Sequence, residues 1–311
     1  MILLRKIKDE CSSRQKEVYS LGFIYRYLSE NEQLKMSVIV ATEIVQRAKE
    51  IHACSPTATA ALGRLLCAAS MMGNSLKNEA SSITITVDGG GPIGKMTAVS
   101  DSIGNVRCFA MNPNADLPSK ANGKLDVGGL VGNKGLFTVI KALGMKKPYI
   151  GSVEIVTGEI AEDLTEYYHE SEQTPTACGL GVLVGTDCNV AVAGGFLVQL
   201  MPGASNELTS VLERNIAAMY PVTRILTTSG YQGIAEAVLR GIPNSLLTRE
   251  RVNYKCYCSR EKVTAVLRSI GKKEIENMIR ENRTFDVHCQ FCDSVYSYTK
   301  QDLQNLLHSE V

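Results

Sequence analysis

The stretch SPTATAALGRLLCAASMM, residues 55–72, decides the fold of this chain. Ser55 and Pro56 are an N-cap residue and a first-turn proline, and they predict that a helix begins here and runs to about the end of the stretch. Apolar residues surround nearly the whole helix, so we expect it to be central. The apolar run Ala58–Met72 is shorter than a bilayer requires and contains Arg64, which is typical of a buried core helix.

The segments on either side of this helix predict an α+β core domain over residues 34–202. Thr42–His52 places apolar residues on one helical face, and SITITV (82–87) alternates as a half-buried strand does. DGGGPIG (88–94) lacks the Lys-Ser/Thr ending of a phosphate-binding loop and is interpreted as a glycine-rich hairpin. Further strands are predicted at residues 95–101, 105–112, 152–156, 180–185 and 189–200. We therefore expect mostly antiparallel sheet with central helices.

Residues 203–252 are predicted to form a helical linker after the core domain. Apolar residues recur at helical spacing in two amphipathic stretches, and the second stops at Gly241 with Pro243 beyond. The apolar positions are Leu208, Val211, Leu212, Ile216, Met219, Ile234, Val238 and Leu239. Because no strands lie nearby in sequence, these faces need to dock against the core domain, the C-terminal module or another chain.

Residues 253–311 are predicted to form a small C-terminal zinc-binding module. It contains Cys256-Tyr-Cys258, thirty intervening residues, and then Cys289-Gln-Phe-Cys292. Four thiolates fill the four tetrahedral positions of one Zn²⁺ and leave none for a catalytic water, so the site is expected to be structural in its coordination. His288 could compete as a ligand, but four sulfurs already suffice. Ser259 and the sequence Thr299-Lys-Gln-Asp302 are predicted to cap two helices of the module.

The six remaining cysteines occur singly and are interpreted as small buried apolar residues. They are Cys11, Cys54, Cys67, Cys108, Cys178 and Cys188.

The charge balance and the residue inventory exclude several functions. Thirty-three basic and 32 acidic residues give a net charge of +1, which favours neither nucleic-acid nor membrane binding. Four histidines and no nucleophile-elbow motif give no sign of a catalytic triad, so an enzyme is not expected. The alternatives kept open are a zinc-ribbon nucleic-acid-binding protein and a thiol-disulfide oxidoreductase that uses Cys289 and Cys292.

Residues 1–33 are predicted to be an N-terminal extension of unclear structure, in which LGFIYRYL (21–28) fits either a helix or a strand. The apolar start is too short for a secretory signal. We therefore expect a cytoplasmic protein, with an organelle matrix as the alternative because of the unusual N-terminus.

Thiolates held by zinc are the form that an oxidant attacks. If the metal leaves, the two sulfurs of each pair are close enough in sequence to form local disulfides, although a C-x-C ring would be strained. A module of roughly fifty residues has a small core and commonly depends on a metal or disulfides. The module is therefore expected to be folded when reduced and unfolded when oxidised.

The motifs together resemble the redox-regulated chaperone family known as heat-shock protein 33. Besides the two cysteine motifs, the matching stretches occur in order between about residues 35 and 300. They are SPTATAALGRLL (55–66), VDGGGPIGKMTAVSDSIGNVRCFAMNP (87–113), KLDVGGLVG (124–132), GSVEIVTGEIAEDLTEYY (151–168), SEQTP (171–175) and AGGFLVQLMPGA (193–204).

This resemblance implies a redox switch. A substrate-binding domain is followed by a helical linker that the zinc module keeps docked while reduced. Oxidation to disulfides Cys256–Cys258 and Cys289–Cys292 expels zinc and unfolds the module and linker. The eight apolar linker positions then become candidate sites for unfolded client proteins, which are held without ATP, and the oxidised protein favours a homodimer. Residues 1–33 depart from the family, whose short N-terminus leads almost directly into a strand.

Overall fold

The computed structural model describes residues 21–281 and 283–308 of the chain. The chain divides into two units, Met1–Lys255 and Cys256–Val311. The helices of the described part of the first unit are α1 (Thr42–His52), α2 (Pro56–Asn74), α3 (Val127–Val131), α4 (Ala161–Glu170), α5 (Asn206–Ala217) and α6 (Val222–Val238). No helix in the described ranges is long and apolar enough to cross a membrane.

The strands of the first unit form two five-stranded sheets in which all neighbours are antiparallel. Sheet 1 has the order β10-β1-β2-β9-β8 and consists of β1 (Leu21–Ser29), β2 (Leu34–Val40), β8 (Thr176–Val184), β9 (Val190–Leu200) and β10 (Asn244–Asn253). Sheet 2 has the order β5-β4-β3-β6-β7 and consists of β3 (Ser82–Asp88), β4 (Met96–Asp101), β5 (Val106–Ala110), β6 (Leu136–Ala142) and β7 (Tyr149–Glu154). The predicted α+β class with antiparallel sheets is confirmed.

Helix α2 lies between the two sheets, as its apolar sequence predicts. Seventeen of its nineteen residues are buried, the exceptions being Pro56 and Arg64. The predicted N-cap is present, since Ser55 Oγ accepts a hydrogen bond from the Ala58 N–H at 3.1 Å. One continuous core joins α2 to Ile39 of sheet 1 and Ile83 of sheet 2. The small side chains of α2 therefore allow both sheets to pack closely against it.

The opposite face of sheet 1 has its own core, formed with helices α5 and α6. Aromatic and aliphatic side chains of the sheet contribute Tyr25, Tyr27, Met36, Val38, Phe196 and Val198 to it. The first unit is thus layered as helices, sheet 1, helices and sheet 2. The amphipathic linker helices find their partner on the core domain, one of the three surfaces that their apolar faces could use.

Two segments of sheet 1 differ from the sequence interpretation. LGFIYRYL forms strand β1, so part of the 1–33 extension belongs to the sheet, while residues 1–20 lie outside the described residues. The end of the 203–252 linker is strand β10 rather than helix. This strand is almost wholly exposed and pairs with β1 along its length, so it is held by backbone hydrogen bonds that no local apolar pattern reveals.

The second unit is small. It consists of α7 (Arg260–Ser269), α8 (Lys272–Arg280), β11 (Phe285–His288), β12 (Val295–Tyr298) and α9 (Lys300–His308). The buried apolar residues of its described part are Leu267, Ile275, Tyr298 and Leu303. Both predicted caps are present. Ser259 Oγ accepts from the Lys262 N–H at 3.3 Å, and Thr299 and Asp302 exchange backbone-to-side-chain bonds of 2.8 and 3.2 Å.

We predict that Gly63→Ala destabilises the first unit, although alanine favours a helix over glycine by about 1 kcal/mol. A Cβ atom at Gly63 would lie 2.6 Å from Val45 Cγ1 and 2.8 Å from Val182 Cγ2. Overpacking of this kind costs about 1–3 kcal/mol, measurable by urea unfolding. Adding Val45→Ala should recover part of the loss. Full additivity of the two substitutions would contradict the proposed contact.

Candidate metal centre

The four predicted ligands lie on two loops of the second unit. Cys256 and Cys258 precede α7, whereas Cys289 and Cys292 lie in the turn between β11 and β12. Backbone hydrogen bonds from Cys289 N–H to Ser294 O (3.0 Å) and from Cys292 N–H to Cys289 O (3.4 Å) shape this turn. The fold therefore brings together two pairs that are thirty residues apart in sequence.

The sulfur positions match a tetrahedral metal site. All four Sγ atoms lie within 4.8 Å of one another, with 3.7 Å between Cys256 and Cys289 and 3.5 Å between Cys258 and Cys292. A tetrahedron with zinc–sulfur bonds of about 2.3 Å has sulfur–sulfur edges of about 3.8 Å. The cysteines are free thiols, and all four are half-buried. The residues present fit one Zn²⁺, which would hold the two loops together when bound.

Without a cation, burial disfavours the thiolate form of two of the four cysteines. Burial and the hydrogen bond to Cys258 raise the pKa of Cys256, and burial raises the pKa of Cys292. Burial also opposes ionisation of Cys258, but hydrogen bonds from Tyr296 and from the other three cysteines outweigh it and lower its pKa to about 7. One sulfur is therefore the preferred anion, and a divalent cation is needed to hold all four as thiolates.

Tyr296 is a member of the site that the sequence did not reveal. Its hydroxyl donates a hydrogen bond to Cys258 Sγ at 3.1 Å, and this bond raises the tyrosine pKa to about 12. The residue follows the second cysteine motif on β12, and only the pairing of β12 with β11 turns it toward the sulfurs. His288 is exposed and lies outside the group of clustered ligands.

The isolated cysteines are mostly buried, as predicted, but Cys188 is exposed. It lies in the turn between β8 and β9 with φ of 63°, so turn geometry rather than apolar packing places it. Burial raises the pKa of Cys54 and of Cys67 to about 12, which makes both poor nucleophiles. Cys178 is half-buried, and Cys11 lies outside the described residues.

The candidate client-binding residues lie in the core between sheet 1 and helices α5 and α6. Five are buried, namely Leu208, Leu212, Ile234, Val238 and Leu239. Val211, Ile216 and Met219 are partly buried and pack against the same core. Five of the eight are therefore covered in this structure, and the other three are partly covered.

Comparison with known proteins gives consistent matches over most of the chain. The family model described as Hsp33 protein matches residues 23–299. The 33 kDa chaperonin of Acetivibrio thermocellus is 41% identical over 286 residues, covering 92% of this chain and 96% of that protein. The protein of the same name from Clostridioides difficile is 41% identical over 286 residues, covering 92% of this chain and 98% of its own length.

A solved structure shows the same fold. The crystal structure of the 33 kDa chaperonin, a heat shock protein 33 homologue, from Thermotoga maritima superimposes with a TM-score of 0.84 at 34% identity. The match covers 92% of this chain and 97% of that one.

Fold and site together define an α+β protein with a C-terminal module whose four cysteines fit a zinc site. The chain belongs to the Hsp33 family.

We predict that Tyr296→Phe weakens metal retention by about tenfold, because it removes the hydrogen bond that orients and stabilises the Cys258 thiolate. Competition with a chelator measures the affinity. In the Co²⁺-substituted protein, the sulfur-to-metal charge-transfer band should also shift. Tyr298→Phe on the same strand is the control, since that hydroxyl contacts Thr264 and Arg260 instead of a sulfur. An identical band in wild type and Tyr296→Phe would contradict the assignment.

Proposed function

We propose that this protein is a redox-regulated, ATP-independent holdase chaperone that is inactive when reduced and zinc-bound. Membership of the Hsp33 family supports a chaperone function. The four-thiol cluster in a unit with a very small core is the observation that carries the proposal. Such a unit can be switched by losing its metal.

The proposed switch begins at the zinc thiolates. With hypochlorous acid as the oxidant, each pair of thiolates gives one disulfide, one chloride and one hydroxide, and two zinc–sulfur bonds are lost. The proposed products are Cys256–Cys258 and Cys289–Cys292. Structural zinc supplies about 10–16 kcal/mol of folding free energy in small zinc domains. Because four apolar side chains form the buried core among the described residues of the module, it is expected to unfold when zinc leaves.

Helices α5 and α6 are the proposed cover of the client-binding surface. They hide the apolar face of sheet 1 that contains Tyr25, Met36 and Phe196, together with their own apolar positions. When the helices detach, this area becomes a large apolar patch of the kind that binds unfolded chains. Oxidised molecules with such patches are also expected to pair as homodimers.

The attachment of α6 has features of a low-stability element. Gly230 interrupts the helix with φ of 63° and ψ of −158°. An open surface cleft of about 780 Å³ lies beside its C-terminal end and is bordered by Tyr27, Leu239 and Pro243. Elements with such interruptions open at lower free-energy cost than unbroken ones.

The two alternatives have less support. The Cys289 and Cys292 motif lies in a β-turn, whereas oxidoreductase C-x-x-C pairs open a helix. The basic residues of the module are interspersed with acids, as on an ordinary solvated surface. We propose that the protein acts in the cytoplasm on unfolded clients and not on nucleic acid.

Hypochlorite treatment of the reduced, zinc-loaded protein should release zinc and suppress light scattering from an unfolding client. Cys256→Ser, which loses one ligand, should bind zinc more weakly and need less oxidant. Cys188→Ser is the matched control, because this cysteine is exposed and outside the cluster. Equal suppression of scattering before and after oxidation would refute the switch.

Asn215→Ala should raise the basal chaperone activity of the reduced protein. The side-chain amide of Asn215 on α5 donates to Val238 O at 2.9 Å and Arg240 O at 2.8 Å, which ties the two helices together. Its removal should cost about 1–2 kcal/mol of local stability, seen as faster amide exchange in α6. Asn206→Ala on the exposed first turn of α5 is the control. No change in exchange or in client protection would show that Asn215 does not hold the cover.

A further inference from the structure

A cleft opens between the two sheets where helix α2 ends. Past Asn74 the helix no longer fills the space between the layers, and the core-facing positions of the strands carry polar residues. Lys35 and Gln199 lie side by side on sheet 1, and Lys141 follows the buried Val139 on the core face of sheet 2. The cleft has a volume of about 450 Å³ and joins a second compartment of about 580 Å³ that shares Lys35, Ser75 and Lys77 with it.

Basic side chains dominate the lining of these two compartments. Arg26, Lys35, Lys77 and Lys141 line them, whereas Glu172 is the acidic residue in the lining. Glu172 is an ion-pair partner of Lys141, and Glu250, outside the lining, pairs with Arg26 at 3.9 Å. Lys35 and Lys77 form no salt bridge among the described residues, although Glu172 attracts Lys35 at longer range. The cleft thus carries an excess of two positive charges.

The charges repel one another. Partial desolvation, and then Arg26, Lys141 and Lys77 in that order, lower the pKa of Lys35 below its usual value. Lys35 and Lys77 are exposed, so water screens part of this repulsion, and an anion bound in the cleft would relieve the rest.

The end of helix α2 explains only part of this charge. The Arg26 guanidinium donates to Asn74 O at 2.9 Å and so satisfies a terminal carbonyl. A helix C-terminus carries about half a negative charge. This is smaller than the excess of two cations, so a further anion is electrostatically favoured.

Neutral donors complete the lining. Ser81 is 2% exposed, and its hydroxyl is buried without a hydrogen-bond partner among the described residues. Buried hydroxyls are normally bonded, so an orphan in a basic cleft points to an acceptor brought by a ligand. The side chain of Gln199, which is 7% exposed, is positioned by its bond to Thr176 Oγ1 at 3.2 Å.

We propose that this cleft binds a multiply charged phosphate group, held by Lys35, Lys77 and Lys141 with Ser81 as a neutral donor. The volume of the main cleft is within the usual range for small-molecule sites. The second compartment is lined by apolar side chains, including Leu28, Met36 and Leu197, and could hold the uncharged part of an organic phosphate. The group is therefore either an inorganic phosphate or the head of an organic one. The site is independent of the zinc module and of the proposed function.

Titration calorimetry and thermal shift on the reduced, zinc-loaded full chain test the proposal. The probes are pyrophosphate, phosphate and phenyl phosphate in phosphate-free buffer. Lys35→Gln should weaken pyrophosphate binding by about tenfold, because it removes one charge-assisted contact. The melting temperature of the free variant should not fall, since the substitution relieves repulsion. Ser81→Ala should weaken binding by about threefold.

Lys134→Gln is the matched control, because Lys134 is exposed and lies outside the cleft. Equal losses in Lys134→Gln and Lys35→Gln would mean non-specific attraction and would overturn the site. Absence of saturable binding of all three probes to wild type would also overturn it. Tighter binding of phenyl phosphate than of phosphate assigns the site to organic phosphates, and equal affinity assigns it to the inorganic ion.

Discussion

Sheet 1 has two apolar faces, and both must be covered for the first unit to be stable in water. Helix α2 covers one face permanently, because it is also packed against sheet 2 and nearly all of its residues are buried. Helices α5 and α6 cover the other face and share one core with it. The two covers therefore differ in their packing, because α2 is buried between two sheets whereas α5 and α6 pack on one sheet among the described residues. In the proposed function, α5 and α6 are the cover that would detach.

Much of this arrangement could be predicted from local patterns. The N-cap at Ser55, the alternation of SITITV and the two caps of the zinc module are properties of a few neighbouring residues, and each appears in the structure. Strands β1 and β10 could not be assigned in the same way, because their stability comes from pairing with each other across more than two hundred residues of sequence. The four cysteines were identifiable by spacing alone, whereas Tyr296 needed the β11–β12 pairing to place its hydroxyl on a sulfur.

In the C-terminal unit, the proposed metal rather than the apolar core would supply most of the folding free energy. The four buried apolar side chains among its described residues form too small a core for some fifty residues, so the proposed metal would carry much of the folding free energy. The thiols that fit the metal are also the most readily oxidised groups of the unit. In the proposed function, the stability of the unit and its sensitivity to oxidants would therefore both depend on the same four sulfur atoms. This unit follows directly after β10 in the chain, and β10 is itself held in sheet 1 by its pairing with β1.

The non-helical backbone at Gly230 interrupts α6, the second of the two helices that cover sheet 1. It separates α6 into two short helical pieces, one holding Ile225 and Leu226 and the other holding Ile234 and Val238. Each piece buries its own part of the sheet, and neither depends on an unbroken helical hydrogen-bond ladder through the other. If the cover helices detach as proposed, the two pieces can leave one after the other, and the area of exposed apolar surface would depend on how many pieces have detached.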